Sequence, residues 1–166
     1  MRAIILAAGR GSRLQQTTDR QLPKCLLTFG GRSLLERHLQ LLEAAGGGQR
    51  LGVCLDSCHL LASGYDIRTP RGMAAVLREC TRKLGRGRVR SLHLNDSQTP
   101  LGSNRDRHAN IGQGQLGEDG CAAFLSAPAL AGLPCVLETP GEKRSGASAE
   151  EVAFAVALRE RGIAAR

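Results

Sequence analysis

Short aliphatic runs recur along the chain, each followed by a turn-rich stretch and then by a segment whose apolar positions repeat at helical spacing. Four such runs predict strands: Ala3–Leu6, Leu51–Asp56, Val89–Leu94 and Pro134–Glu138. Helices are predicted over about Ser33–Ala45, Pro70–Leu84 and Glu118–Leu125, with a last one from Ser148 onward. In the first, Leu34, Leu35, Leu39 and Leu42 form one stripe, Ser33 and Glu36 make a capping box, and Gly46, Gly47 and Gly48 end it. A strand followed by a helix, several times over, predicts a parallel α/β sheet. No internal repeat or coiled-coil heptad accompanies these units.

The chain has 166 residues, which predicts one domain, or two small pieces, at about 150 residues per domain. A complete eight-stranded α/β barrel, at roughly 250 residues, does not fit in that length. The apolar fraction of 42% is enough for a core, but Tyr65, three phenylalanines and no tryptophan leave that core to Leu, Val, Ile and Ala. A base-stacking nucleic-acid platform is therefore disfavoured. Net charge is +8, and of the 23 basic residues only Lys24, Lys83 and Lys143 are lysines. The arginine surplus suits phosphate-bearing partners. Six scattered cysteines with no preceding secretory signal, and no stretch long enough to span a bilayer, predict a reduced, cytoplasmic protein without a membrane partner.

In a parallel α/β sheet, side chains at the carboxyl ends of the strands collect on one face, where ligand sites form. Asp56 closes the second predicted strand, with His59 three residues on; His93 lies at the end of the third, with Asp106 and His108 in its loop; Glu138 closes the fourth. These carboxylates and imidazoles suit Zn²⁺, or less tightly Mn²⁺ and Fe²⁺. Cys54, Cys58 and His59 form a rival ligand set, but the spacing lacks the short knuckle of zinc fingers, and buried structural thiols are the expected role.

The stretches "GVCLDSCH" (Gly52–His59), "LHLNDSQTPLGSNRDRH" (Leu92–His108), "IGQGQLG" and "LETPG" (Leu137–Gly141) resemble the second half of the endonuclease IV family of apurinic/apyrimidinic endonucleases. The resemblance runs from about Leu51 to the C-terminus, with one departure at Gln98, where many members carry Lys. It implies a (β/α)₈ barrel with three zinc ions on its rim, hydrolysing the phosphodiester 5′ to an abasic site in DNA during base-excision repair. By resemblance, His59, Asp106 and His108 form the complete protein set for one zinc, and Asp56, His93 and Glu138 hold a second. The glutamate that bridges to a third ion, two further histidines and the residues that flip the abasic sugar come from the family's first half. They have no counterpart here. Such chemistry needs metals in concert, one to lower the pKa of the attacking water and others to neutralise phosphate and leaving group. One or two of three ions therefore predicts zinc binding with weak or absent cleavage.

Before the triple glycine the chain changes character: residues 1–50 carry +5 and the remainder +3. There "ILAAGRGSRLQQTTDRQLPKCLLTFGGRSLLERHLQLL" (Ile5–Leu42) sets Gly9 and Gly11 after a strand, then Arg13 and Pro23-Lys24. Glycines of this kind let backbone N–H groups cradle phosphate, while Arg and Lys offset its charge. The stretch resembles the opening of nucleotidyltransferases that activate sugar phosphates or phosphocholine, with Gln15 where that family often has Pro. By analogy, Gly9, Gly11, Arg13 and Lys24 contact a nucleotide. The regions that read the base and hold Mg²⁺ in that family have no counterpart, so nucleotidyl transfer is not expected.

The expected organisation is thus a nucleotidyltransferase-like strand-loop-helix over 1–46 and an endonuclease IV-like fragment over 47–166, joined within Leu41–Arg50. The expected fold is α/β, a partial (β/α)₈ barrel of about four parallel strand-helix units. The leading reading is a truncated, impaired zinc-dependent AP endonuclease; the alternatives are a nucleotide-binding fragment and a fusion without selected activity. Barrel-interior side chains, for example Val53 or Leu55 and Leu92 or Leu94, are expected to lose their opposite partners in an open barrel, predicting marginal stability or self-association through the sheet edges.

Overall fold

The computed structural model describes residues 28–44, 46–48 and 51–166, which fall in two compact units divided between Leu51 and Gly52. The predicted strand Ala3–Leu6 and the nucleotide-binding candidates Gly9, Gly11, Arg13 and Lys24 lie outside the described residues. In the first unit β1 (Thr28–Phe29) and β2 (Arg32–Ser33) form an antiparallel hairpin. Its turn runs through Gly30 and Gly31, both at positive φ. The helix α1 (Leu34–Ala44) follows, so Ser33 ends a strand. The helix closes where the Gly47 N–H reaches the Leu42 carbonyl at 2.8 Å.

The second unit is built on three parallel strands, β3 (Val53–Asp56), β4 (Val89–Leu94) and β7 (Cys135–Leu137), in the order β3-β4-β7. With their helices they make an incomplete α/β barrel. A short helix, α2 (Ser57–Ala62), leaves β3 at once. The long α3 (Pro70–Leu84) follows, with Thr69 capping it through a 3.1 Å bond from the Gly72 N–H and Pro70 in its first turn. After β4 come the two-residue strands β5 (Asp96–Ser97) and β6 (His108–Ala109), paired antiparallel. Then comes α4 (Gly117–Ser126), and α5 (Ala149–Ala164) ends the chain, with Ser148 accepting from the Glu151 N–H at 3.2 Å.

The core lies between the sheet and these helices, where Leu55, Ile67, Met73, Leu94, Phe124 and Leu158 pack together. Close approach of α5 to α4 depends on Gly162, where a Cβ would stand 2.6 Å from Ser126 Oγ. Among the described residues no helix is long and apolar enough to cross a membrane.

The sheet register corrects one expectation. Leu55 lies opposite Leu92, and Leu92 opposite Cys135, so these share a face; alternation puts Cys54, Asp56, Ser91, His93 and Val136 on the other. Leu55, Leu92 and Leu94 face the helices and are 5%, 3% and 0% exposed; Val53 packs at the edge of the same core. The uncovered face carries small or polar groups, with Val136, 52% exposed, its one large aliphatic.

Directly after β4 stands a second organising feature. Asp96 is fully buried, and its carboxylate accepts four backbone N–H groups: Ser97 and Leu116 on Oδ1, both at 2.7 Å, and Gly114 and Gly117 on Oδ2, at 2.9 and 3.0 Å. The backbone wraps so closely that a Cβ at Gly114 would sit 2.5 Å from Asp96 Oδ1. This clamp fixes the "IGQGQLG" segment and the start of α4. Replacing Asp96 by Asn substitutes an N–H₂ donor for an acceptor of two buried donors, each costing about 1–3 kcal/mol when unpaired. We expect urea denaturation of Asp96→Asn to show a loss of roughly 2–5 kcal/mol, and an unchanged midpoint would contradict the clamp.

Candidate metal centre

Because Asp56 and His93 are register partners across β3 and β4, their side chains leave the sheet together at the carboxyl ends of the strands. Glu138 follows β7 directly, at the same end. Asp56 is also the N-cap of α2: its Oδ1 accepts the His59 N–H at 2.9 Å, which folds His59 back over the strand end. The sequence Asp-x-x-His thus brings both groups to one place.

His93 Nδ1 lies 3.7 Å from Asp56 Oδ2 and 3.4 Å from Glu138 Oε2, and His59 Nδ1 lies 3.6 Å from Asp56 Oδ1. These separations are long for hydrogen bonds. They are near the spacing of about 3.4 Å between two donors held tetrahedrally on one ion at about 2.1 Å.

Asp106 arrives from the loop joining β5 to β6, and His108 opens β6 itself. That loop docks on the end of α2 through the Gly102 N–H to Leu61 O, at 3.0 Å, and the Asn104 N–H to Ala62 O, at 2.8 Å. Asn104 takes the left-handed conformation, φ 53°, that Asn tolerates best among residues with a side chain. Asp106 reaches both rings: its Oδ2 is 3.2 Å from His59 Nε2 and its Oδ1 is 3.1 Å from His108 Nε2. The rings meet edge-on with centroids 5.7 Å apart.

Neither approach has hydrogen-bond geometry, so both Nε2 atoms are buried without a hydrogen-bond partner. The other ring nitrogen of His108 is committed, since Nδ1 sits 2.9 Å from the Glu138 carbonyl oxygen. A carbonyl only accepts, so the neutral ring carries its proton on Nδ1 and turns the Nε2 lone pair inward. Two buried ring nitrogens without hydrogen bonds, the His108 one turned inward as a lone pair, beside carboxylates at ligand spacing, fit a divalent cation.

All six sequence-predicted ligands converge. Asp56, His59 and His108 have donor atoms within 4.8 Å of one another, and so do Asp56, His93 and Glu138. A third group, Cys58 with Asp106 and His108, meets the same limit, whereas Cys54 joins none, so the set of Cys54, Cys58 and His59 is not assembled. Cys58 is fully buried, and that burial pushes its thiol up to about 11.

Sequence reasoning missed the groups behind the rim. Asn95, fully buried, donates from Nδ2 to Asp56 Oδ2 at 2.9 Å and accepts the Glu138 N–H on Oδ1 at 2.9 Å, tying the first strand end to the third. Ser57 holds Asn95 by its backbone: Oγ donates to Asn95 O at 2.7 Å and accepts the Asn95 N–H at 2.9 Å. The available signal was a polar Asn-Asp-Ser triplet set directly after a buried strand.

Residues 24–158 match the family model described as the xylose isomerase-like TIM barrel. The chain belongs to that family. Within it the chain is 54% identical over 100 residues to a probable endonuclease 4 of Moorella thermoacetica and 55% identical over 113 residues to one of Heliobacterium modesticaldum. Those matches take in 60% and 68% of this chain, but 36% and 40% of the relatives. The crystal structure of endonuclease IV from Thermus thermophilus superimposes with a TM-score of 0.56 at 30% identity, over 92% of this chain and 54% of that one. The resemblance to endonuclease IV carried by the motifs is thus borne out. The chain spans well under half the length of the two curated relatives.

The His108 geometry has a direct consequence. Where the ring is neutral, ¹⁵N-detected imidazole spectra of metal-free protein are expected to show His108 as the Nδ1–H tautomer. The opposite tautomer would remove the inward lone pair.

Proposed function

We propose that this chain is a zinc-binding relative of endonuclease IV whose six-residue rim engages the phosphodiester 5′ to an abasic site in DNA, and that the 166-residue polypeptide hydrolyses it weakly or not at all. The observation that carries the reading is the pair of buried His Nε2 atoms facing carboxylates without hydrogen bonds. Asp56, His93 and Glu138 would hold one ion, and His59, Asp106 and His108 another. A bound ion of this kind supplies Lewis acidity toward phosphate oxygens and lowers the pKa of a nearby water.

The chain's own groups set the conditions for that chemistry. Asn95 fixes the Asp56 carboxylate and the backbone at Glu138 in one unit. The Glu138 carbonyl keeps the His108 proton away from the site. Exposed Arg105 and Arg107 flank Asp106 on its loop and suit the charge of a DNA backbone. With fewer ions than the family's three, transition-state stabilisation falls by several kcal/mol, at about tenfold in rate per 1.4 kcal/mol. A cytoplasmic location agrees with the unpaired cysteines among the described residues. We also propose that the two sequence segments meet near residue 47, a reading supported by the division of the structure after Leu51. Among the described residues β3 and β7 each have one strand neighbour, which leaves edges for self-association.

Elemental analysis of purified protein is expected to find one or two zinc ions per chain, and material free of transition ions after zinc dialysis would overturn the reading. Nicking of an abasic duplex at the rate of full-length relatives, abolished by EDTA, would overturn the impaired activity. Removing the bracket in Asn95→Ala is expected to weaken zinc affinity by about 10- to 100-fold with the circular dichroism spectrum retained. Unchanged affinity would show that the bracket does not position the ligands.

A further inference from the structure

The helix layer of the second unit is incompletely filled. Gly120 through Ser126 of α4 are buried without a break, so this ten-residue helix lies recessed between α3 and α5. Above it runs a groove of about 980 Å³, at the upper end of the roughly 300–1,000 Å³ that enclose a small molecule. Ala122 and Ala123 form its floor, and Ala74, Leu77 and Thr81 of α3 line one wall at helical spacing. Gly162 and Ala165, at the end of α5, line the other. The groove follows α3 from Pro70 to Thr81, about 16 Å at 1.5 Å per residue. Its shape is that of an elongated occupant about three helical turns long.

The edge of this apolar groove is basic. Arg78 and Arg82 stand one turn apart on the α3 wall, exposed and without an ion pair among the described residues. Glu79 on the same helix is taken up by Lys83, while Arg68 is matched by Asp66 and Arg161 by Glu118 and Asp119. We propose that the groove docks an acidic amphipathic helix of a partner protein, its apolar face on Leu77, Ala122 and Ala123 and its carboxylates on Arg78 and Arg82. Arginine is enriched at protein interfaces and pairs strongly with carboxylates, and a helix laid in a groove anchors itself by apolar residues at i, i+3 or i+4 and i+7. A nucleic-acid backbone would use the arginines and leave the apolar floor in water. Residues 1–27 hold five basic residues against Asp19 alone, and the whole chain carries +8. Neither that segment nor a second copy brings the complementary charge. No residue lining the groove is among the six rim ligands, so the assignment goes beyond the metal site and does not rest on it.

The probe is a fluorescein-labelled synthetic peptide of roughly 12 residues, with Leu at i, i+3, i+4 and i+7 and Glu on its polar face; a second peptide has Lys for every Glu. Anisotropy titrations with the 166-residue protein are expected to show the acidic peptide bound about tenfold or more tightly than the basic one. Arg78→Glu combined with Arg82→Glu should reverse that preference. Ala74→Trp, which fills the groove from an exposed position, should weaken the acidic peptide about tenfold or more, and zinc content should be unchanged in both variants. Circular dichroism checks their folding. If either fails to fold, amide chemical shifts in the unaltered protein decide: changes centred on α3 and the end of α5 support the groove, and changes elsewhere overturn it. Acidic-peptide binding that ignores both sets of substitutions, or no binding of either peptide, overturns the proposal. So does a short DNA duplex, dodecanoate or a second copy of the chain that Ala74→Trp excludes while the acidic peptide stays unbound. None of these outcomes bears on the zinc-binding reading, which metal analysis tests separately.

Discussion

Asn95 ties together two strand ends that do not pair with each other. β4 separates β3 from β7, so Asp56 and Glu138 stand across an intervening strand, and no backbone ladder sets their distance. The Asn95 side chain does, bonding a carboxylate on one side and a main-chain N–H on the other, while Ser57 holds its backbone from both directions. An amide suits this place because it donates and accepts at once. Asp could not donate to Asp56, and Leu would leave the Glu138 N–H unpaired. A rigid rim follows from that bracket, and rim rigidity decides whether carboxylates and imidazoles behave as a ligand cage or as separate surface charges.

Two buried polar residues in succession divide the work. Asn95 faces the rim, and Asp96 turns the other way to gather four N–H groups from the segment leading into α4. Alternation along the chain puts neighbouring side chains on opposite sides. The strand end therefore serves the site with one residue and the scaffold with the next. Rim geometry and the placement of α4 are coupled through a single peptide unit, so disturbance of either carries to the other.

The regular elements were legible because their signals are local. The bounds of α3 follow from Thr69, Pro70 and an apolar stripe ending at Leu84 before Gly85. The convergence of the six candidate ligands was legible too, since each follows a strand or sits in the loop after one. The six-residue α2 was not, because "SCHLLA" is too short to show a helical period. Nor was the bracket: a polar triplet after a strand reads as solvated loop until the fold shows Asn95 and Asp96 without exposure. The mistaken face for Leu55, Leu92 and Leu94 came from a period-2 pattern whose phase cannot be read from an aliphatic-rich run alone. Register fixes that phase through Asp56 and His93, which mark the opposite face as the ligand side.

That phase changes the energetic argument for an open barrel. Had the leucines faced outward, several exposed aliphatics at about 1.5–3 kcal/mol each would have rivalled a stability of roughly 5–15 kcal/mol. Instead the outward face consists of Cys54, Ser91 and the rim residues Asp56 and His93, with Val136 its one large aliphatic. A half-exposed valine costs on the order of 1 kcal/mol. The second unit thus keeps its hydrophobic core wholly on the helix side, and the face that a closed barrel would line with side chains from every strand is here polar enough to meet water. Among the described residues, what limits the open form is therefore the outer backbone edge of β3 and β7 more than uncovered hydrocarbon. Water can meet the hydrogen-bonding groups of a strand edge, so the three-stranded sheet can hold the rim in place without the closure that the complete fold provides, at the cost of edges open to pairing.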